Sequence, residues 1–122
     1  MGFADEIQQR LQDLALRVIA FCRSLPRNAE ARHVDDQLRR ATTAASANYR
    51  ASRRARSRAE WLAKLAIVVE ELDESDHWFT IIGDSQLAEP PQDLIGECRS
   101  LRAILAKARA TAVRQQKQRR AK

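Results

Sequence analysis

The apolar residues between Trp61 and Ile82 recur at intervals of four and three positions along the sequence. Such a spacing places side chains along one side of an α-helix, which completes a turn in about 3.6 residues. A second apolar row, including Leu62 and Trp78, widens the nonpolar face over a broad arc. The chain must therefore bury this helix against other elements. The main row consists of Trp61, Leu65, Val68, Leu72, Ser75, Phe79 and Ile82.

Three other segments show helical periodicity, and residues that end helices separate them. The first helix is predicted from about Asp5 to Ser24 and stops at Leu25-Pro26, because proline lacks an amide hydrogen and restricts the preceding residue. The second begins near Ala29, with Asn28 as its N-cap, and fades around 54–56. The inward rows of these helices are Ile7, Leu11, Leu14, Val18 and Cys22, then Val34, Leu38, Ala41, Ala45 and Asn48.

Ser57 and Glu60 have the spacing of a capping box at the start of the third helix. The next break runs from 83 to 91, and the fourth helix carries an apolar row from Leu94 to Ala112. Four amphipathic helices with short links predict an all-α, antiparallel, up-and-down four-helix bundle. The expected organisation is one domain over residues 1–115, followed by a basic, disordered tail at 116–122.

Composition supports a helical chain without a membrane partner. Only three glycines and three prolines interrupt 122 residues, and no apolar run approaches the roughly 20 residues that span a bilayer. The N-terminal MGFADEIQQR has acids where a signal peptide has basic residues, so we expect a cytoplasmic location. Cys22 and Cys98 fall at core spacing and are predicted to be buried free thiols.

The second helix carries small side chains on several faces, which has two interpretations. Alanine is the best helix former, and that alone accounts for its abundance. Alternatively, the outer small residues pack against another copy in a homo-oligomer. Asn48 either binds a carbonyl of a neighbouring helix or is partly exposed near the helix end. The residues assigned to a contact between copies are Ala44, Ala47, Tyr49, Ala51, Trp61 and Trp78.

Two basic clusters suggest a phosphate-binding surface. Seven arginines lie within 39–58, and seven basic residues lie within 107–122. Arginine suits phosphate because its planar fork donates twice and stays charged, and such binding to RNA or DNA would be non-specific and salt-dependent. Alternatively, the arginines pair with the acidic block at 70–76, or the tail only solubilises the chain. The predicted contacts are Arg40, Arg50, Arg53, Arg54, Arg56, Arg58, Arg114, Lys117, Arg119 and Arg120.

Metal and catalytic chemistry have weaker support. Glu30/His33 and Glu74/His77 are both Glu-x-x-His pairs, which dimetal bundles use together with carboxylates from the other two helices. The first pair lies in the first turn of a helix, where a glutamate favours the dipole, and no matching carboxylates are evident elsewhere. Dimetal binding is therefore a remote alternative. We assign no catalytic residue, metal or cofactor and expect a protein that is not an enzyme.

Several stretches carry a resemblance to a known family. On these residues the chain resembles the bacterial four-helix bundle protein family, whose founding members are encoded by intervening sequences in 23S ribosomal RNA genes. The accessory protein of diversity-generating retroelements is a relative. The stretches are Gln37-Leu38-Arg39-Arg40-Ala41, Ala47-Asn48-Tyr49-Arg50-Ala51, the run from Arg54 to Trp61, Lys64-Leu65, and Glu70-Glu71-Leu72-Asp73-Glu74-Ser75 ending in Trp78-Phe79.

The resemblance implies an antiparallel four-helix bundle that assembles, like characterised relatives, into a homopentamer with a central pore. The retroelement relative implies a basic surface for nucleic acid. This chain has Asn48-Tyr49-Arg50-Ala51-Ser52 where the commonest family pattern is Asn-Ile-Ala-Glu-Gly, so a retroelement function is not carried over. We predict a non-enzymatic oligomeric scaffold that binds nucleic acid. The alternative is a module that binds only a protein partner and uses its basic residues in ion pairs.

Overall fold

The computed structural model describes residues 2–121, which form four α-helices joined by short turns. α1 spans Phe3–Arg23, α2 spans Ala29–Ser52, α3 spans Arg58–Asp84 and α4 spans Gln92–Ala121. Each helix packs against the next in the chain, and α4 closes the bundle against α1. The predicted all-α four-helix bundle is confirmed, and residues 2–121 contain no strand.

The centre of the bundle is filled by the apolar rows that the periodicity predicts. Burying a Leu, Ile or Phe side chain contributes about 1.5–3 kcal/mol, so these rows dominate the stability of the fold. Trp61 begins the row of α3 but is only half-buried, because it lies at the end of the bundle. The buried members include Ile7, Leu11, Leu14, Val18, Cys22, Leu65, Val68, Leu72, Phe79, Ile82, Leu94, Cys98, Leu101 and Leu105.

Small side chains line the contact between α2 and α3. Ala41 and Ala45 are completely buried, so α2 places only methyl groups in the core at these two positions. Thr42 and Ser75 are also buried, and their hydroxyls donate to the carbonyls of Leu38 and Glu71 in their own helices, at 2.9 and 2.8 Å. Their polar atoms therefore have partners, and the two helices can approach closely without leaving an orphaned hydroxyl.

The inward row of α2 differs from the prediction in its second half. Tyr49 is 4% exposed, whereas Asn48 is half-buried and donates from Nδ2 to the carbonyl of Ala44 in its own helix at 2.9 Å. The row therefore steps from Ala45 to Tyr49 and Ser52, since a period of 3.6 residues alternates steps of four and three. Tyr49 belongs to the core of its own chain, which corrects its assignment to an outer contact surface.

Side chains cap α2 and α3 where the sequence predicts them. The Oδ1 of Asn28 accepts the amide of Ala31 at 2.8 Å, and the Oγ of Ser57 accepts the amide of Glu60 at 3.1 Å. The Glu60 carboxylate accepts the amide of Arg56 at 3.1 Å, one residue before the partner expected in a capping box. These bonds satisfy amides that a helix leaves without an internal partner.

α3 ends in a Schellman motif centred on Gln86. The amides of Gln86 and Leu87 donate to the carbonyls of Gly83 and Ile82, both at 3.1 Å, and Gln86 has a φ of 59°. Glycine is usual at such a left-handed position because a side chain crowds the following carbonyl. The nearby Gly83 has a different role, because it lets Pro90 pack closely against α3. A Cβ at Gly83 would lie only 2.7 Å from Cγ of Pro90.

α4 continues as a helix to Ala121, through residues expected to form a disordered tail. Gln, Lys and Arg are good helix formers, and basic side chains near a helix C-terminus interact favourably with the helix dipole. Lys122 lies outside the described residues, and the division of the chain at residue 115 stays a prediction. No helix among residues 2–121 has both the length and the apolarity needed to cross a bilayer.

Cys22 and Cys98 are free and buried, as predicted. Burial raises the pKa of each thiol to about 12. The Sγ of Cys98 lies 3.2 Å from the carbonyl oxygen of Leu72, to which it donates. Both residues therefore act as small core side chains and keep their protons at neutral pH.

Candidate nucleic-acid interface

One end of the bundle gathers the start of α1, the turn between α2 and α3, and the last turns of α4. The Nε of Arg109 donates to the carbonyl of Leu62 at 3.1 Å, which fixes the register of the antiparallel α3 and α4. In that register, Arg114 is level with the start of α3. At 1.5 Å per residue, the stretch from 115 to 121 extends about 10 Å beyond it. The two basic clusters of the sequence therefore meet at this end, which we call the basic end.

The turn between α2 and α3 presents arginines to solvent. α2 ends at Ser52, before the predicted fading at 54–56, because a tight turn closes with a 3.2 Å bond from the amide of Ala55 to the carbonyl of Ser52. Arg54 and Arg56 are exposed, and neither has an ion-pair partner among the described residues. Their guanidinium groups are available to an anion from solution.

Arg53 and Arg58 contact neighbours at the same end. Arg53 donates to Oδ1 of Asp5 at 2.9 Å and to Oε1 of Gln8 at 2.7 Å. The guanidinium of Arg58 lies 5.2 Å from the centre of the Trp61 ring, which is a cation–π contact. Exposed ion pairs are worth about 0–1 kcal/mol, so Arg53 can exchange Asp5 for a phosphate at small cost.

The last turns of α4 add further positive charge. Four basic side chains of this segment are exposed, and none forms an ion pair within residues 2–121. The basic end as a whole has eight basic side chains and three acidic ones. The basic residues are Arg53, Arg54, Arg56, Arg58, Arg114, Lys117, Arg119 and Arg120, and the acidic ones are Asp5, Glu6 and Glu60.

Arg40 does not belong to the basic end. It lies mid-helix in α2, where its guanidinium pairs with Glu74 and, at 3.5 Å, with Glu71. The hydrogen bond from Arg40 lowers the pKa of Glu74, whereas burial raises the pKa of Glu71. Arg40 is therefore paired within the bundle, as in the alternative interpretation, and its predicted phosphate contact stays a prediction. Arg50, in the last turn of α2, is exposed and forms no ion pair within the part of the chain described.

The acidic block at 70–76 is used within the bundle. Arg102 of α4 pairs with Asp73 at 2.7 Å, and Arg99 pairs with Asp76 at 3.0 Å. Together with the pairs of Arg40, these contacts tie α3 to both neighbouring helices. The block therefore does not neutralise the basic end.

The two Glu-x-x-His pairs do not converge on a common point. The rings of His33 and His77 both meet Trp78 edge-on, with centroid distances of 5.6 and 5.1 Å. Glu74 is engaged by Arg40 and accepts the indole N–H of Trp78 at 3.3 Å. Among residues 2–121, no three His, Cys, Asp or Glu side chains are grouped so that they could hold a metal ion.

The other residues assigned to contacts between copies lie on two sides of the bundle. Ala47 is exposed on the outer face of α2, next to Arg50, and Ala44 and Ala51 are half-buried there. Trp61 and Trp78 are half-buried and lie near opposite ends of α3. Their role in self-assembly stays a prediction.

Phe3 is a residue of the basic end that the periodicity did not single out. It is the first residue of α1 and is 56% exposed. With Tyr49 and Trp61 it lines a single groove, although these residues come from three helices. A lone phenylalanine ahead of the first apolar row carries no signal in the sequence, so only the packing of the helices discloses this grouping.

Two comparisons relate the chain to known proteins. Its residues 5–107 match a family described as 23S rRNA-intervening sequence protein. The fold is similar to a 1.70 Å crystal structure of a protein with unknown function from the S23 ribosomal protein family of Bacteroides thetaiotaomicron VPI-5482. The TM-score is 0.80 and the identity 19%, over 88% of this chain and 97% of that chain, so this likeness concerns the fold alone. No curated protein matches the sequence.

Proposed function

The chain belongs to the 23S rRNA-intervening sequence protein family, and we propose that it is a cytoplasmic, non-enzymatic protein that binds RNA or DNA without sequence specificity. One observation carries the proposal. The basic residues of the α2–α3 turn and of the end of α4, distant in sequence, lie at one end of the bundle, with few acids to oppose them. The proposal includes no catalytic step, metal or cofactor.

The geometry of the basic end suits a phosphate backbone. Exposed arginines donate two parallel hydrogen bonds to a phosphate, and the helical end of α4 carries four exposed basic side chains within about two turns. Each phosphate neutralised releases counterions, so the logarithm of the affinity falls with the logarithm of the salt concentration. The helices here are packed side by side, and no aromatic sheet platform or recognition helix in a helix-turn-helix is present among the described residues. We therefore expect binding with little preference for base sequence.

Fluorescence anisotropy with a labelled RNA or DNA of about 20 nucleotides tests the proposal. We expect binding at low ionic strength that weakens by at least tenfold when salt rises from about 50 to 200 mM. Changing Arg54 and Arg56 to glutamate should weaken binding by at least tenfold and lower the salt dependence. The matched control is the double change of Arg27 and Arg32 to glutamate at the opposite end, where both residues are exposed.

The control variant has the same net charge as the test variant but leaves the basic end intact. Equal losses in both variants would mean that net charge alone attracts nucleic acid. An absence of binding at low salt would rule out the proposed function. It would favour the module that binds only a protein partner.

Self-assembly is the second part of the proposal, and the exposed small residues on the outer face of α2 support it. The homopentamer implied by the family resemblance would have a mass of about 70 kDa, since one chain is 13.9 kDa. Light scattering coupled to gel filtration measures this mass directly. Changing Ala47 to glutamine should reduce it if α2 packs on another copy, and a native mass near that of one chain would exclude the oligomer.

A further inference from the structure

An aromatic groove lies within the basic end. It has a volume of about 420 Å³ and is formed where the start of α1, the end of α2 and the start of α3 meet. Three aromatic residues, Phe3, Tyr49 and Trp61, contribute to its walls, together with Arg53. Three of the six Phe, Trp and Tyr residues of the chain thus lie together in a groove that Arg53 also lines.

The three rings differ in their exposure, and the difference gives the groove a floor and a rim. Tyr49 is 4% exposed and forms the floor, and burial raises the pKa of its hydroxyl, which stays protonated. Trp61 is half-buried with Arg58 over its ring, and Phe3 is 56% exposed at the rim. An exposed phenylalanine adds nothing to the core, so its ring is available to a ligand with a flat apolar face.

We propose that this groove holds an unpaired base of a single-stranded nucleic acid, while the surrounding arginines contact the flanking phosphates. The inference rests on the proposed function and adds to it a preference for single strands. Bases stack on aromatic side chains and on arginine planes, and stacking tolerates any base because every base has a π-face. A duplex cannot offer this contact, since its bases are already stacked and paired.

Charge decides which occupant the groove favours. Arg53 lines it and Arg58 covers one of its rings, so a ligand that enters meets positive potential. A second copy of this chain placed against the groove with its own basic end would be repelled. A base stacks its flat π-face on the rings, and the anionic phosphates that flank it pair with the arginines.

The experiment compares a labelled 12-nucleotide single strand with the matching duplex by anisotropy at low salt. Changing Phe3 to alanine should weaken single-strand binding about tenfold and leave duplex binding unchanged. Changing Phe3 to tryptophan should preserve single-strand binding, because stacking needs only an aromatic ring. Leu16 is the matched control, since it is also on α1, is 57% exposed and is the other large exposed apolar residue. Its change to alanine should affect neither ligand.

A second measurement reports on the groove directly. In a Trp78→Phe variant, Trp61 is the one remaining tryptophan, because the chain has two. Single-stranded ligand should quench its fluorescence, and the duplex at equal saturation should not. Circular dichroism of each variant confirms that the helices are retained.

Three results would overturn the inference. Equal binding of both ligands, with no effect of Phe3→Ala, would leave the proposed function in place and remove the base site. A Phe3→Ala variant that loses native mass but binds single strands normally would make the groove a contact between copies. Failure of both ligands to bind at low salt would remove the proposed function and this inference together.

Discussion

The side-chain hydroxyls of Thr42 and Ser75 lie 3.2 Å apart in the buried contact between α2 and α3. Neither residue is more than 1% exposed. The pair occupies the level at which Arg40 reaches across to Glu74, so a small polar contact in the core lies beside an ion pair at the surface. The distance between the two helices at this level depends on the small size of both residues.

We expect Ser75→Leu to destabilise the fold by about 1–3 kcal/mol, because added methylene groups at a fully packed site force the helices apart. Urea unfolding followed by circular dichroism measures the change. Ser75→Ala is the control and should cost less than about 1 kcal/mol, since Thr42 keeps the Leu38 carbonyl as a partner at 2.9 Å. Equal stability of the leucine and alanine variants would show that the contact has spare room.

Gln86→Gly should stabilise the protein by about 1 kcal/mol, because Gln86 has a φ of 59° and glycine adopts this conformation without steric cost. Thermal unfolding should show a rise in Tm of about 4 °C for a domain of this size. Gln86→Ala provides the comparison and should not raise Tm, since alanine has the same Cβ. A similar Tm for all three proteins would contradict a cost at this position.

Glu97→Gln should reduce stability at pH 7 by about 0.5–1 kcal/mol, as for other partly exposed pairs. Arg10 donates to Glu97 at 2.6 and 3.0 Å, and these hydrogen bonds lower the pKa of Glu97 in the folded state. The pair therefore stabilises the fold fully above the ordinary glutamate pKa of about 4.3, and the contribution is lost as pH falls through the lower folded pKa.

Urea titrations at pH 7 and pH 3 check this dependence. The difference between the wild-type protein and Glu97→Gln should shrink at the lower pH. Glu89→Gln is the control, because Glu89 is exposed and has no ion pair among the described residues. A difference that stays constant between the two pH values would argue against the ion pair as its source.

Both cysteines should resist thiol reagents in the folded protein. Cys22 and Cys98 are 2% and 0% exposed, and burial raises the pKa of both to about 12, so neither reagent access nor thiolate is available. Ellman's reagent at pH 8 should label them at least 100-fold more slowly than in the urea-unfolded chain. Single Cys→Ser variants assign the rates, and rapid labelling of either residue in the native protein would reveal local opening there.

The fold was largely predictable from spacing, because a helix that buries one face imposes a regular pattern on its apolar residues. The row from Leu65 to Ile82 is long enough to define α3 without further information. The inward row of α2 contains few large residues. Its spacing therefore predicts Asn48 as the inward residue, whereas the structure buries Tyr49. Periodicity alone cannot choose between adjacent positions when small side chains carry so little weight.

The candidate site was predictable in its residue types and not in its geometry. Charge clustering indicated arginines at 50–58 and basic residues in the last turns of α4, but their meeting at one end depends on helix lengths and register. The position of Arg40 outside the basic end was not readable from its basic sequence neighbours, because its partner Glu74 is 34 positions away. The role of Phe3 in the groove was likewise not predictable, because three separate segments of the chain form that groove.

The projection of α4 beyond the end of α3 also has a mechanical consequence. A helix without lateral neighbours is held only by its own backbone bonds, and repulsion among Lys117, Arg119 and Arg120 works against it. Anions that settle on this segment relieve that repulsion and so stiffen it. Anion binding and the helix content of these last turns therefore increase together, so the stiffness of the protruding segment depends on the anions in solution.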